Sequence, residues 1–172
     1  MAIAVNKIVN ASVYIDGASM LGRAEEIDAP TITHIMAEHN ALGMVGQAEF
    51  WSGIEKMESR IKWTSWYPEV ASKMANPLVA VQLMIRSNLQ TFGPGGLEVE
   101  VPMITYMTGT FKNIPGGNFK TRENAEFESM LHVTSFKQEV NGVNKIEIDV
   151  MSNTYKVDGV DILATYKANI GG

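Results

Sequence analysis

Residues 125–150 read AEFESMLHVTSFKQEVNGVNKIEIDV, and the alternation in this stretch decides the fold class. Phe127, Leu131 and Val133 fall on one face of a first arm, with Ser129 and Ser135 among them. Ile146, Ile148 and Val150 share one face of a second arm, and Lys145, Glu147 and Asp149 take the opposite face. Side chains alternate across a strand, so a period of two describes strands with one buried and one wet face. Asn141-Gly142 stands between the arms and accepts positive φ at little cost, which predicts a tight hairpin.

Similar pieces lie on both sides. Residues 78–92 place Val79, Val81, Leu83, Ile85 and Leu89 on one row, with Gln82, Arg86, Asn88 and Gln90 on the other. The β-branched alternation favours a strand over a helix. Gly93-Pro94-Gly95-Gly96 predicts a turn, and 97–111 a strand with Val99, Val101, Met103 and Met107 in register. In 56–66, Met57, Ser59, Ile61, Trp63 and Ser65 alternate with Glu58, Arg60, Lys62, Thr64 and Trp66. Asp16-Gly17 predicts another hairpin turn, and Pro30 confines the strand at 25–35 to an edge or a strand start.

Residues 68–75 predict a short helix with proline in its first turn. The spacing of Val160, Leu163 and Tyr166 predicts a C-terminal helix over 160–168. Residues 114–122, with Pro115-Gly116-Gly117, read as a polar exposed loop, and 1–10 as an apolar arm without a clear period. The least regular region is 36–55, which holds Gly43, Gly46 and Gly53 together with Met44, Val45, Phe50 and Trp51. It reads as a loop folded over its own core or as a surface for another protein, since aromatics and Met are enriched at interface cores.

A chain of 172 residues suits one domain with a core of its own. The absence of cysteine excludes disulfides, thiol catalysis and zinc–thiolate sites, and fits a reducing cytoplasm. A net charge of -5 argues against a generic nucleic-acid binder, which would carry a basic face. No apolar run suits a membrane anchor, and the N-terminus lacks the pattern of a signal peptide.

No catalytic constellation emerges. His34 and His39 are five apart, a poor spacing for a helical metal pair, and His132 has no evident nucleophilic partner. The glycine groups lack the lysine and strand-to-helix setting of a phosphate loop. Glu25, Glu26, Glu98, Glu100, Glu126 and Glu128 alternate or adjoin as solvated strand faces do. The expectation is therefore no enzyme, no metal and no cofactor. Long strands whose edges a monomer would have to manage point to a homo-oligomeric structural protein that pairs strands with neighbouring copies.

Several blocks carry a resemblance. These are Asn10-Ala11-Ser12-Val13-Tyr14-Ile15-Asp16-Gly17, Ala41-Leu42-Gly43-Met44, Gly109-Thr110-Phe111-Lys112 with Pro115-Gly116, and Tyr155-Lys156-Val157-Asp158-Gly159-Val160-Asp161 through Asn169-Ile170-Gly171. In that order, and over essentially the whole length, they resemble the major tail tube protein of contractile-tailed phages, of the P2-like and R-type pyocin kind. The resemblance implies a mainly β, antiparallel sandwich or barrel-like subunit with one or two short flanking helices. It implies a single tail-tube domain over 1–172 that lends strands to a barrel shared around a ring.

Hexameric rings would stack inside a sheath, with a baseplate hub and a tail terminator at the ends. A tape measure protein would occupy the lumen and DNA would pass through it. Such a protein assembles in the bacterial host and resides in the virion. A ring of this kind carries a formal charge of about −30, six times −5, which repels phosphate.

On this reading Met44, Val45, Gln47, Phe50 and Trp51 are candidates for ring-to-ring contact, and Ile3, Val5, Ile8 and Ile170 for contact between subunits. Lumen candidates are Glu58, Arg60, Lys62, Gln82 and Arg86, or alternatively Glu126 and Glu128, or Glu147 and Asp149. The mixed sign on 56–66 departs from a purely acidic lining. Two alternatives remain: the tube of a tailocin or another contractile injection system, and a small-ligand β-barrel with Met44, Phe50 and Trp51 at its mouth.

Overall fold

Strand β1 (Val5–Ile15) begins inside the segment expected to be an apolar arm. Asn10 sits in the left-handed region at φ 67°, and the pairing register slips between Ile8 and Ala11. That bulge reverses the parity between residues 5–8 and 11–15, so Ile8 continues the row of Val13 and Ile15 and no single period runs through the strand. The computed structural model describes residues 3–171, so Met1, Ala2 and Gly172 of the expected terminal contacts lie outside the described residues.

Asp16-Gly17 turns the chain into β2 (Ala18–Ser19), and β3 (Ala24–Asp28) stops short of the buried Pro30. Residues 36–55 are not the irregular loop expected. They form most of a hairpin of β4 (His34–His39) and β5 (Ala48–Ile54), a separate two-stranded sheet. A register shift between Ile35 and Met36 breaks the alternation, and apolar side chains stand on both faces although only the root, at Ile54 and Trp51, meets the body.

In β6 (Met57–Trp63) the row Met57, Ser59, Ile61 and Trp63 is buried, as its period predicts. Helix α1 (Pro68–Met74) follows, with proline in the first turn and Val70 and Met74 buried. The long strands β7 (Val81–Gly93) and β8 (Gly96–Phe111) form a hairpin, and β9 (Phe127–Val140) pairs with β8. The turn at Asn141-Gly142 has φ 51° and 75° and leads into β10 (Val143–Asp149). Ser135 does not join the buried row of β9. The register shifts between Thr108 and Gly109 on the β8 side, an extra residue enters β9 near Thr134, and Phe136 becomes the next buried side chain.

The chain ends with β11 (Thr154–Val157), β12 (Val160–Asp161) and helix α2 (Ala164–Asn169). The helix expected over 160–168 is therefore shorter and later. Val160 and Asp161 pair with Val157 and Lys156, and Asp161 Oδ1 accepts the Leu163 amide at 2.9 Å, which holds a turn ahead of the helix.

The main sheet runs β12-β11-β10-β9-β8-β7-β1-β2, with β6 added to β9 and β3 to β6. Strand β9 is the hub. Its first half pairs with β6 and its second half with β10, along the edge opposite β8. Followed as β1-β7-β8-β9-β6-β3, the sheet nearly closes on itself. Strand β3 returns beside β1 across a cleft lined by Ile8, Ala11 and Val13 on one side and Ala24, Glu26 and Ile27 on the other. The fold is mainly β, antiparallel and barrel-like, with two short helices.

The interior is filled by side chains such as Ile15, Ile61, Leu83, Met107, Leu131 and Ile148, closed by Val70 and Met74 of α1. Each contributes about 1.5–3 kcal/mol by burial. Packed interiors leave no room for a small ligand, which weighs against the ligand-barrel alternative.

Asp16 ties three elements together. One carboxylate oxygen accepts the Gln82 amide at 2.8 Å and the other holds the Lys73 ammonium of α1. Burial works against its charged form, but the Lys73 and Gln82 bonds outweigh burial and lower its pKa from the ordinary value. With a depressed folded pKa, the unfolded chain binds the proton first. The stability from Asp16 is thus complete above the unfolded value and is lost as pH falls through the lower folded value. The stability gap between wild type and Asp16→Asn is expected to shrink as pH falls from about 6 to about 3, read from urea midpoints. A gap constant across that range would contradict this role.

Candidate functional site

The distal parts of β1, β7 and β8 form a ribbon that projects beyond the core. Ile8, Leu89 and Val101 stand opposite one another, as do Asn6, Thr91 and Val99. This face continues the row of Leu83 and Ile85 below it, yet Ile8 and Val99 are exposed. The apolar face of the core thus runs out uncovered. On the other face Asn88 and Gln90 donate to Glu100 at 2.8 and 2.7 Å, and Arg86 and Gln82 continue the row toward the base. Those two amides hold the Glu100 pKa below its ordinary value.

Both sides of the ribbon are open. Residues 5–8 pair only with β7, because β2 reaches only Tyr14 and Ile15. Residues 96–102 of β8 pair only with β7, because β9 joins at Met103. Open strand edges are templates for another strand.

The β4–β5 hairpin is a second exposed feature. Met44, Val45 and Gln47 lie in its tip, and Leu42 and Val45 are fully exposed. Phe50 and Trp51 follow in β5 on opposite faces. Phe50 packs near His39, with centroids 6.1 Å apart. Trp51 folds back onto the body: its indole donates to His34 Nδ1 at 3.0 Å, and it meets Tyr155 edge-on at 6.4 Å. His34 also stacks on Tyr155, and His34 and His39 are the two ends of β4, on opposite faces.

The charged residues divide into separate places. Arg60 bonds Asp28 at 2.7 Å and reaches Glu128 at 3.5 Å, Lys62 reaches Glu25 at 3.5 Å, and Glu58 holds Lys112 and Lys56. Hydrogen bonds from Lys112 and then Lys56 lower the Glu58 pKa, and the Asp28 bond raises that of Arg60. Glu58, Arg60, Lys62 and Glu128 are therefore each neutralised locally, Arg60 and Glu128 by one another and by Asp28, Lys62 by Glu25, and Glu58 by Lys112 and Lys56. Glu126 lies on a separate backbone bridge with Asn118, and Gln82 and Arg86 lie strands away on β7. Glu147 bonds Lys156 at 3.2 Å, and Asp149 Oδ1 accepts the Met151 and Ser152 amides.

A family model described as phage tail tube protein FII matches residues 5–171. The chain belongs to this family. A tail tube protein of Escherichia phage P2 is 28% identical over 170 residues, covering 96% of this chain and 95% of the relative. A phage tail tube protein is a structural component of the virion. No described helix is long and apolar enough to cross a membrane.

Within this tail tube chain, the expected contact residues prove scattered. Ile3 precedes β1. Val5 and Ile8 point to opposite faces of the ribbon, and Ile170 caps α2, whose described residues include no buried one. Sequence reasoning missed the two open edges and the exposure of Val99, because alternation reports a face and not what covers it. It also misread 114–122 as polar. Pro115 is buried, and Phe119 meets the Phe127 ring edge-on at 6.2 Å. The single aromatic in that glycine-rich stretch was the available signal.

Proposed function

We propose that this tail tube protein is a non-catalytic subunit whose copies close into hexameric rings and stack as the inner tube of a contractile phage tail. DNA passes through the lumen into the host. The observation that carries this reading is the ribbon of β1, β7 and β8, with one unpaired edge on each side. The β8 edge of one copy pairs with the β1 edge of the next, which extends the sheet and removes both edges. The exposed Ile8 and Val99, beside the half-buried Leu89 and Val101, then pack against neighbouring chain, which offsets their exposure.

In this arrangement Gln82, Arg86, Asn88, Gln90 and Glu100 turn to the lumen. Their face is amide-rich and mixed in sign, so it offers phosphate no basic stripe to bind. Glu58, Arg60, Lys62 and Glu128 are already ion-paired within the subunit and are left out of the lining. The sheath lies outside, the hub and terminator close the two ends, and the tape measure protein fills the lumen before DNA does.

Negative-stain electron microscopy of the concentrated protein tests this. Rings or hollow tubes of uniform width are expected. A protein that stays monomeric at the highest attainable concentration, even when seeded with tail fragments, would overturn the reading.

A further inference from the structure

Trp66, Ile114, Pro115, Gly116, Phe119 and Phe127 line an open, mainly apolar groove of about 450 Å³. Its rings are already arranged: the Trp66 and Phe127 centroids are 5.4 Å apart, and Phe119 meets Phe127 at 6.2 Å. Trp66, Phe119 and Ile114 nonetheless remain exposed. Aromatic surface of this kind in a soluble subunit marks a contact.

The groove lies at the end of β6, where Trp63 pairs with Phe127. The β4–β5 hairpin joins the start of the same strand, at Met57. The roots of the two features are thus about 20 Å apart along β6. The hairpin tip, residues 40–47, reads NALGMVGQ and carries no charge. Below it Glu38 and Glu49 stand directly opposite each other, a destabilising like-charge pair, and neither makes an ion pair among the described residues. Beyond Phe119 the same loop carries Lys120 and Arg122. Lys120 reaches only Glu123, at 3.4 Å, and Arg122 makes no ion pair among the described residues.

We infer that the hairpin tip of one copy seats in the Trp66–Phe119 groove of a second copy, with Glu38 and Glu49 facing Lys120 and Arg122. The occupant is another copy of this chain because tip and groove match in both respects, apolar centre to apolar centre and acidic rim to basic rim. A knob and a socket on different parts of one chain make a heterologous contact, which repeats head to tail instead of stopping at a pair. Resting on the tube reading above, the contact joins one ring to the next. Leu42 and Val45 are the side chains it covers, and its charged rim makes it weaken with salt.

The chain has no cysteine, so single substitutions place single thiols. Val45→Cys and Phe119→Cys proteins are mixed and oxidised with diamide, and non-reducing gels read the products. A mixed disulfide dimer is expected, at least about ten-fold above a control pairing Val45→Cys with Ser72→Cys on α1, a factor of ten being about 1.4 kcal/mol in local preference. A yield equal to the control overturns the inference. Tubes by microscopy without the cross-link sink the groove contact and leave the tube reading standing. The cross-link without tubes does the reverse. Charge reversal gives a second arm. Glu38→Lys with Glu49→Lys is expected to abolish the cross-link, and Lys120→Glu with Arg122→Glu in the other copy to restore it. Unchanged cross-linking on reversal would overturn the assigned rim.

Discussion

Replacing Trp63 with alanine is expected to cost the isolated subunit about 3–5 kcal/mol of unfolding free energy. Trp63 is 2% exposed, in the buried row of β6, and its indole donates to Ser129 Oγ at 2.8 Å. Ser129 itself is 0% exposed, on the strand that pairs with β6. Truncation therefore opens a cavity and also leaves a buried hydroxyl without its donor. A domain of this size has only about 5–15 kcal/mol in total, so the variant is expected to unfold close to physiological temperature.

Trp63→Phe is a milder test. It keeps a six-membered ring but loses the hydrogen bond together with part of the indole volume, at an expected cost of about 1–3 kcal/mol, below that of Trp63→Ala. Urea unfolding followed by far-ultraviolet circular dichroism reads both. A loss below about 1 kcal/mol for Trp63→Ala would show that this end of the barrel collapses around the gap.

Gly109→Ala is expected to be comparably damaging, although it adds only a methyl group. A Cβ built at Gly109 lies 1.9 Å from the His132 carbonyl oxygen and 3.0 Å from the Val133 Cα. Both are backbone atoms of the neighbouring strand, so no side-chain rotation relieves the clash. The close approach arises where the β8–β9 register shifts, beside the extra residue of β9. An added methyl must force the two strands apart within the core sheet, at about 3 kcal/mol or more. Gly95→Ala is the control. Its Cβ would meet open space in the turn between β7 and β8, and its effect is expected within about 0.5 kcal/mol. Equal urea midpoints for the two alanine variants would refute the role given to Gly109.

Much of the architecture was legible because strand burial follows the pleat. The rows of Met57, Ile61 and Trp63, of Val81, Leu83 and Ile85, and of Ile146 and Ile148 face the core as their alternation predicts. The turns at Asp16-Gly17 and Asn141-Gly142 also fell where dipeptide chemistry places them. Reading failed where a bulge changed parity. Asn10 hid the first half of β1, the extra residue near Thr134 exchanged Ser135 for Phe136, and the shift at Ile35 hid the β4–β5 hairpin. A bulge is a property of two strands together, and one strand's sequence does not announce it.

The candidate contacts follow the same division. Exposed Met44, Val45 and Phe50 were visible from composition, since apolar residues in a glycine-bearing segment demand cover. The open edges of β1 and β8, the groove at Trp66 and the ion pairs around Arg60 depend on which strands become neighbours.

Sequence by itself determined that this chain is an antiparallel β protein without cysteine chemistry, and its ordered motifs pointed to the tail tube family. Local alternation and turn propensity act over a few residues, so they survive in a linear reading. Only the tertiary structure decided that β9 is the hub, that β3 returns beside β1, and that the ribbon leaves two edges unpaired. Those outcomes rest on contacts between residues far apart in the chain, such as Trp63 with Ser129 and Asp16 with Gln82. Their energies exist only once the strands have met.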